Sequence, residues 1–365
     1  MSAGGDHRWW RDGVLYQCYP RSFADADGDG VGDLRGIIER LDHLAWLGID
    51  GLWLNPTYPS PNADWGFDVA EDGDVHPELG TLADLDELVA RCEEHGIRVL
   101  LDLVPNHTSD EHAWFRSKRD YYVWRDPGPD GGPPNNWRSV FGGPAWTLDK
   151  ASGQYYLHNF LPKQPDLDWW NERVREEFDE ILRWWFARGI AGFRIDVAHG
   201  IVKDRDLRDN PAAEPGDSLL WRLLGQRPVY SMNRPDVHEV HRRWRRVADA
   251  SEPPRVLVGE TWVGELERLA EFYGSGVDEL HLAFNFVFAE ADFDTSARRA
   301  RAGSSSPHRV GARTRSWLDI IHTGHASAGS SSSVRATIGA RTLVSKSASA
   351  NTKLKARCSS STPLP

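Results

Sequence analysis

Gly192-Phe193-Arg194-Ile195-Asp196-Val197-Ala198-His199 decides how the rest of the chain is read. Gly189, Ile190, Ala191, Gly192, Phe193 and Ile195 are small or apolar, as a strand covered on both faces requires. Arg194 and Asp196 stand two residues apart, so their side chains leave such a strand on the same face. A guanidinium beside a carboxylate holds the acid's pKa down and keeps it ionised, which suits a nucleophile. A structural Arg–Asp pair at a strand end is the alternative, and this stretch alone leaves both open.

Similar endings recur on either side of it. Ile97 to Leu103 reads as a strand that ends at Asp102 and runs on to Asn106-His107. Arg255 to Gly259 reads as another, ending in Glu260-Thr261-Trp262. Further strands are expected at Val14 to Tyr19, Ile49 to Leu54 and Glu279 to Phe284. Helical spacing marks Leu34 to Leu47, Thr81 to His95, Glu172 to Arg188, Asp236 to Ala250 and Leu266 to Tyr273. Thr81 with Asp84 three residues on predicts a capping box, and Gly96 a stop. Strand alternating with helix predicts an α/β fold, a (β/α)8 TIM barrel that is incomplete here, with about six strands. In a barrel the chemistry sits at the C-terminal strand ends, so Asp102, Asp196 and Glu260 converge on one mouth.

This gives four regions. Residues 1–105 form the first part of the catalytic barrel. Residues 106–171, rich in Gly, Pro, Asn and Trp and too long for a plain loop, form a small inserted domain after the third strand. Residues 172–294 continue the barrel. Residues 295–365 form an aberrant, disordered-type Ser/Arg-rich tail, in which one acid, Asp319, stands against a dozen Lys and Arg.

The formal net charge of -11 argues against nucleic acid or an anionic membrane surface as a partner. No apolar run reaches the length of a membrane span, and the start MSAGGDHRWWRDG lacks the apolar region of a signal peptide. Cys18, Cys92 and Cys358 form no motif, so a cytoplasmic, reducing setting is expected. Seventeen tryptophans offer faces that stack on sugar rings as well as on core side chains. A monomer is expected, and no organic cofactor.

Asp25-Ala26-Asp27-Gly28-Asp29-Gly30-Val31-Gly32-Asp33 alternates carboxylates around a glycine turn, in the order of an EF-hand loop up to its ninth position. Gly36 then stands where that loop has glutamate. Asp25, Asp27, Asp29, the Val31 carbonyl and Asp33 are the expected ligands of a structural Ca²⁺ or Mg²⁺. An acidic turn without an ion is the alternative.

Two carboxylates flanking a sugar bond are the minimum for glycoside hydrolysis. Asp196 beside Arg194 suits the ionised partner. Glu260, after Val256-Leu257-Val258-Gly259 and before Trp262, has the apolar surroundings that suit the protonated one. Asp102…Asn106-His107, Gly192-Phe193-Arg194-Ile195-Asp196 and Gly259-Glu260-Thr261 resemble three signature regions of the alpha-amylase family of glycoside hydrolases. Gln164-Pro165-Asp166-Leu167-Asp168 resembles a fifth region, in the form typical of oligo-1,6-glucosidases and alpha-glucosidases, and Asp25–Asp33 resembles the metal loop of that subgroup. The likeness runs from about Trp10 to about Phe288.

The resemblance implies a retaining alpha-glucosidase that removes terminal alpha-1,4 or alpha-1,6 linked glucose from short oligosaccharides of maltose or isomaltose type. It implies Asp196 as nucleophile, Glu260 as acid/base and Arg194 as the residue that orients Asp196. His107 would donate to the glucose 6-hydroxyl. Asp64 and Phe67, within Ala63-Asp64-Trp65-Gly66-Phe67-Asp68, would line the terminal-glucose pocket, where the family usually has tyrosine in place of Phe67. Asp102 and His199 join the substrate-binding set. Val197 resembles the alpha-1,6 enzymes, whereas Ala198-His199 is less typical of them.

The family's Asn-His-Asp region, whose aspartate binds the sugar in the transition state, is absent. After Glu260 the histidines are His281, His308, His322 and His325, and none precedes an aspartate. A frame-shifted or truncated end after about residue 294, giving an impaired enzyme, is the expectation, with a genuine basic tail as the other reading. An inactive sugar-binding relative, or one that rearranges sucrose or trehalose, are the competing functions.

Overall fold

The computed structural model describes residues 8–285. Nine strands follow one another among these residues: β1 (Leu15–Cys18), β2 (Gly51–Leu54), β3 (Arg98–Leu103), β4 (Trp124–Arg125), β5 (Trp146–Asp149), β6 (Gln154–Leu157), β7 (Gly192–Ile195), β8 (Val256–Thr261) and β9 (Leu282–Asn285). Six of them form one parallel sheet in the order β1-β2-β3-β7-β8-β9. The order never reverses, so this is the half-barrel arc of a (β/α)8 fold and not a doubly wound sheet. The expected 295–365 tail lies outside the described residues.

Helices cover the outer face. Thr81 caps the helix Leu82–Glu94, and Thr81 and Asp84 bond reciprocally as a capping box. The helices Glu172–Ala187, Val237–Asp249 and Leu266–Glu271 lie within the expected segments. The stretch Leu34 to Leu47 is not one helix but two, Leu34–Glu39 and Leu41–Trp46, because the backbone leaves helical geometry at Arg40. That break keeps Leu34, Ile37, Leu41 and Leu44 all in the core.

Strand alternation separates two layers of side chains. Val99, Leu101, Leu103, Phe193, Ile195 and Leu257 point outward into a core shared with Leu182, Trp185, Phe186 and Trp244 of the helices. Leu100, Val256 and Val258 point inward and pack with Trp9, Trp10, Leu15, Trp53, Leu282 and Phe284. Asp102, Arg194 and Glu260 share the inward parity. Register sets Asp102 opposite Arg194, Arg194 opposite Val258, and Glu260 opposite Phe284. β7 and β8 run so close that a Cβ on Gly192 would lie 2.1 Å from the Val256 carbonyl oxygen.

Between β3 and β7 the short strands form an antiparallel sheet in the order β4-β6-β5. It has its own small core of Val123, Trp137, Ala145, Trp146 and Leu157. The loop after β7 clamps this insert from outside: Trp137 Nε1 donates to the Arg208 carbonyl at 2.8 Å, and Asn136 Nδ2 to that of Asn210 at 2.8 Å.

Candidate active site

Arg194 is the hub. Its Nη1 donates to Asp102 Oδ1 and to Asp196 Oδ1, each at 2.6 Å, and its Nη2 to Glu260 Oε2 at 2.5 Å. The Asp102 side chain is 0% exposed and that of Glu260 16%, so the network opens toward Glu260. Trp53 Nε1 donates to Asp102 Oδ2 at 3.3 Å, and Tyr58 donates to the Asp102 carbonyl at 2.7 Å. The rings of Trp53, Phe67 and Phe284 surround the guanidinium at 5.3, 5.7 and 5.7 Å. Val197 adopts φ +48°, a strained conformation for a β-branched residue, and its N–H reaches Glu260 Oε2 at 3.1 Å.

The charges do not balance, and this corrects the expectation that Arg194 holds the Asp196 pKa down. Asp196 is pushed well above the ordinary carboxylate range. Burial is the largest cause; Arg194 opposes it, and the charges of Glu260 and Asp102 add to it. One cation is shared among three acids, two of them buried, and its pull does not offset the burial of Asp196. The side-chain contact of Asp196 with Glu260 raises the Asp196 pKa further. Burial likewise raises Asp102 to about 6 against the pull of Arg194. The local sequence shows the near neighbour Arg194, but not the two acids brought from other strands.

A second buried network lies beside the first. Lys203 Nζ donates to Asn106 Oδ1 and to the Gly200 carbonyl, both at 2.5 Å, and pairs with Asp166 Oδ2 at 3.1 Å. Because Asn106 Oδ1 faces Lys203, its Nδ2 faces His107 Nδ1 at 3.0 Å, which leaves the imidazole proton on Nε2. Nε2 donates to the Phe67 carbonyl at 3.0 Å. Gln164 Nε2 donates to Asp64 Oδ2 at 2.9 Å. Burial lowers His107 to about 4 and raises Asp64 to about 6. Asp64, Phe67 and His107 are therefore brought together as one wall, with both ring nitrogens of His107 engaged by the protein.

His199 is buried next to Glu260, its pKa lowered to about 4 chiefly by burial, with Nδ1 unpartnered. Sequence reasoning assigned no role to Trp53, Phe284, Asp166 or Lys203. Inward strand parity was the available signal for the first two; a lone lysine in the apolar run Ile201-Val202-Lys203 was the signal for the last.

The acidic loop is a separate feature. The Asp25, Asp27 and Asp29 carboxylates come within 4.8 Å of one another and are exposed. Asp25 accepts from Gly28 and Gly30 N–H at 2.6 and 2.8 Å, bonds that lower its pKa. Asp29 accepts from Val31 N–H at 2.7 Å. Asp33 does not join the three: it caps the helix Leu34–Glu39 through Gly36 N–H and accepts from Ala26 N–H.

Parallel strands whose C-terminal ends bring an arginine and three carboxylates together define a (β/α)8-type fold with a polar cluster at its mouth. Comparison with known proteins agrees. The family model for the alpha amylase catalytic domain matches residues 17–328. A probable alpha-glucosidase of Rhizobium meliloti is 45% identical over 312 residues, covering 81% of this chain and 56% of that protein. The oligo-1,6-glucosidase of Parageobacillus thermoglucosidasius is 47% identical over 292 residues, covering 78% and 50%. The crystal structure of an alpha-glucosyl transfer enzyme superposes with a TM-score of 0.77 at 38% identity, covering 82% of this chain and 58% of that one. The chain belongs to the alpha-amylase family. It spans about half the length of the curated relatives it matches. No helix among the described residues is long and apolar enough to cross a membrane.

Proposed function

We propose that the site serves retaining hydrolysis of terminal alpha-linked glucose, alpha-1,4 or alpha-1,6, from short oligosaccharides. The observation that carries this is the grip of one guanidinium, Arg194, on both Asp196 and Glu260. Asp196 attacks the anomeric carbon as Glu260 gives a proton to the departing oxygen; water, activated by Glu260, then frees the glucose. In the free protein burial raises the Asp196 pKa well above the ordinary carboxylate range. Attack requires Asp196 ionised with the transferable proton on Glu260. Asp64, Phe67 and His107 form the wall that seats the terminal sugar.

The loop fits a hard dication. Asp25, Asp27 and Asp29 would supply carboxylate oxygens, the donors Ca²⁺ and Mg²⁺ prefer, with the Val31 carbonyl closing the set. Its role is to tie the loop and does not reach the reacting atoms.

The test is hydrolysis of p-nitrophenyl-alpha-glucoside by this chain, with the first-formed anomer read by NMR and a slow fluoro-glucoside used to trap the enzyme. Alpha-glucose as first product and a label on Asp196 are expected. Beta-glucose first, or a label elsewhere, overturns the proposal. A second reading, sugar binding without turnover, is favoured by the missing Asn-His-Asp region. It predicts maltose binding by calorimetry with no release of p-nitrophenol.

A further inference from the structure

On the helical side of β8 and β9, away from the carboxylate cluster, three side chains form a second site. We propose that His238, His241 and Glu279 bind a divalent transition-metal ion of zinc type. The histidines stand three apart on the helix Val237–Asp249, so they share a face. Glu279 comes from the segment before β9. His238 Nδ1 lies 2.7 Å from Glu279 Oε2, and His241 Nδ1 lies 3.9 Å from the same oxygen. All three ligand atoms fall within 4.8 Å of one another. Ligands at zinc bond lengths in a tetrahedral site stand about 3.3 Å apart, between those two separations. Two imidazoles and one carboxylate suit zinc better than Ca²⁺ or Mg²⁺.

His241 carries the argument. It is 0% exposed, and its Nδ1 has no hydrogen-bond partner. Rings of Phe272 and Trp244 flank it. A buried imidazole left in this state costs free energy. The His238–Glu279–Arg242 bonds explain those residues as an ion-pair group, but leave His241 unanswered. A metal at Nδ1 answers it.

Outer partners are already in place for each ligand, as metal sites require. His238 Nε2 faces Glu271 Oε2 at 3.7 Å. Glu279 Oε1 accepts from Arg242 Nη1 at 2.8 Å. The Ala198 carbonyl faces the His241 ring. The His238 side chain is 15% exposed and that of Glu271 57%, which gives an ion a way in and a water a fourth position.

The experiment uses the full chain, stripped with EDTA and titrated with Zn²⁺ against a chromophoric chelator. A D25N/D27N/D29N variant serves as background, so that the acidic loop contributes nothing. One equivalent of Zn²⁺ is expected, with visible Co²⁺ bands of a four-coordinate nitrogen–oxygen site. H238Q and E279Q should each weaken binding by about tenfold or more. The Zn²⁺-induced rise in Tm should be lost with them. The partly exposed His238 is the primary variant, since His241 substitutions disturb the core. Absence of binding in the background protein overturns the proposal. Unchanged binding in H238Q and E279Q overturns it too.

Discussion

Two buried polar networks lie side by side at the mouth of the half-barrel, and they differ in charge. Lys203 pairs directly with one acid, Asp166, feels the charge of a second, Asp168, and donates its other bonds to neutral groups. Arg194 faces three acids. The balanced network is scaffold. It joins the loop after β3, the loop after β7 and the insert, and it fixes the His107 tautomer through Asn106. In the unbalanced network burial raises the pKa of Asp102 and Asp196 against the pull of Arg194, the kind of perturbation that clusters at functional sites. Stoichiometry of charge, more than burial, separates the two clusters.

The largest effect should come from Arg194→Met. Three carboxylates would lose their common cation, and urea unfolding at neutral pH should show a loss of about 3–5 kcal/mol. The loss should shrink as the pH is lowered, because the acids take up protons. An equal loss at low pH would mean that the arginine acts by packing, and the contrast between the networks would fail.

Next in size is Lys203→Met, which strands Asp166 as a buried unpaired charge at a cost of about 3 kcal/mol. The double variant K203M/D166N should recover a substantial part, read by the same unfolding. No recovery would mean that the lysine's bonds to Asn106 and Gly200 matter more than its charge.

Asp102→Asn sharpens the comparison through pH. The Asp102 pKa rises from 3.8 to about 6 on folding. Such an acid stabilises the fold below 3.8 and loses that contribution as pH climbs through about 6. The stability of wild type relative to D102N should therefore fall across this window when Tm is followed against pH. A flat difference would show that folding does not shift the Asp102 pKa.

Thr81→Ala is the smallest and serves as a control remote from both networks. Loss of the capping box should cost about 1 kcal/mol. Sugar and metal binding, read by calorimetry, should not change.

Much of the architecture was legible because it rests on local rules. The apolar run Gly189 to Phe193, the Thr81 cap and the recurrence of strand and helix each report on near neighbours. The Leu34 to Leu47 segment was misread as one helix because its apolar spacing continues through Arg40, where the backbone does not. The direction of the Asp196 pKa shift was misread for a related reason: the sequence shows Arg194 two residues away, while burial, the larger cause, and the acids at positions 102 and 260 come from the fold.

The sequence by itself determined on which strand face the candidate acids and Arg194 stand, since alternation along a strand is a property of the chain. Only the tertiary structure decided how many acids share one guanidinium and in which direction burial shifts them. It also decided whether a lysine and an aspartate far apart in sequence would meet, and whether His241 Nδ1 would lack a hydrogen-bond partner. Those outcomes depend on distance and desolvation across strands, and neither is written in any local stretch.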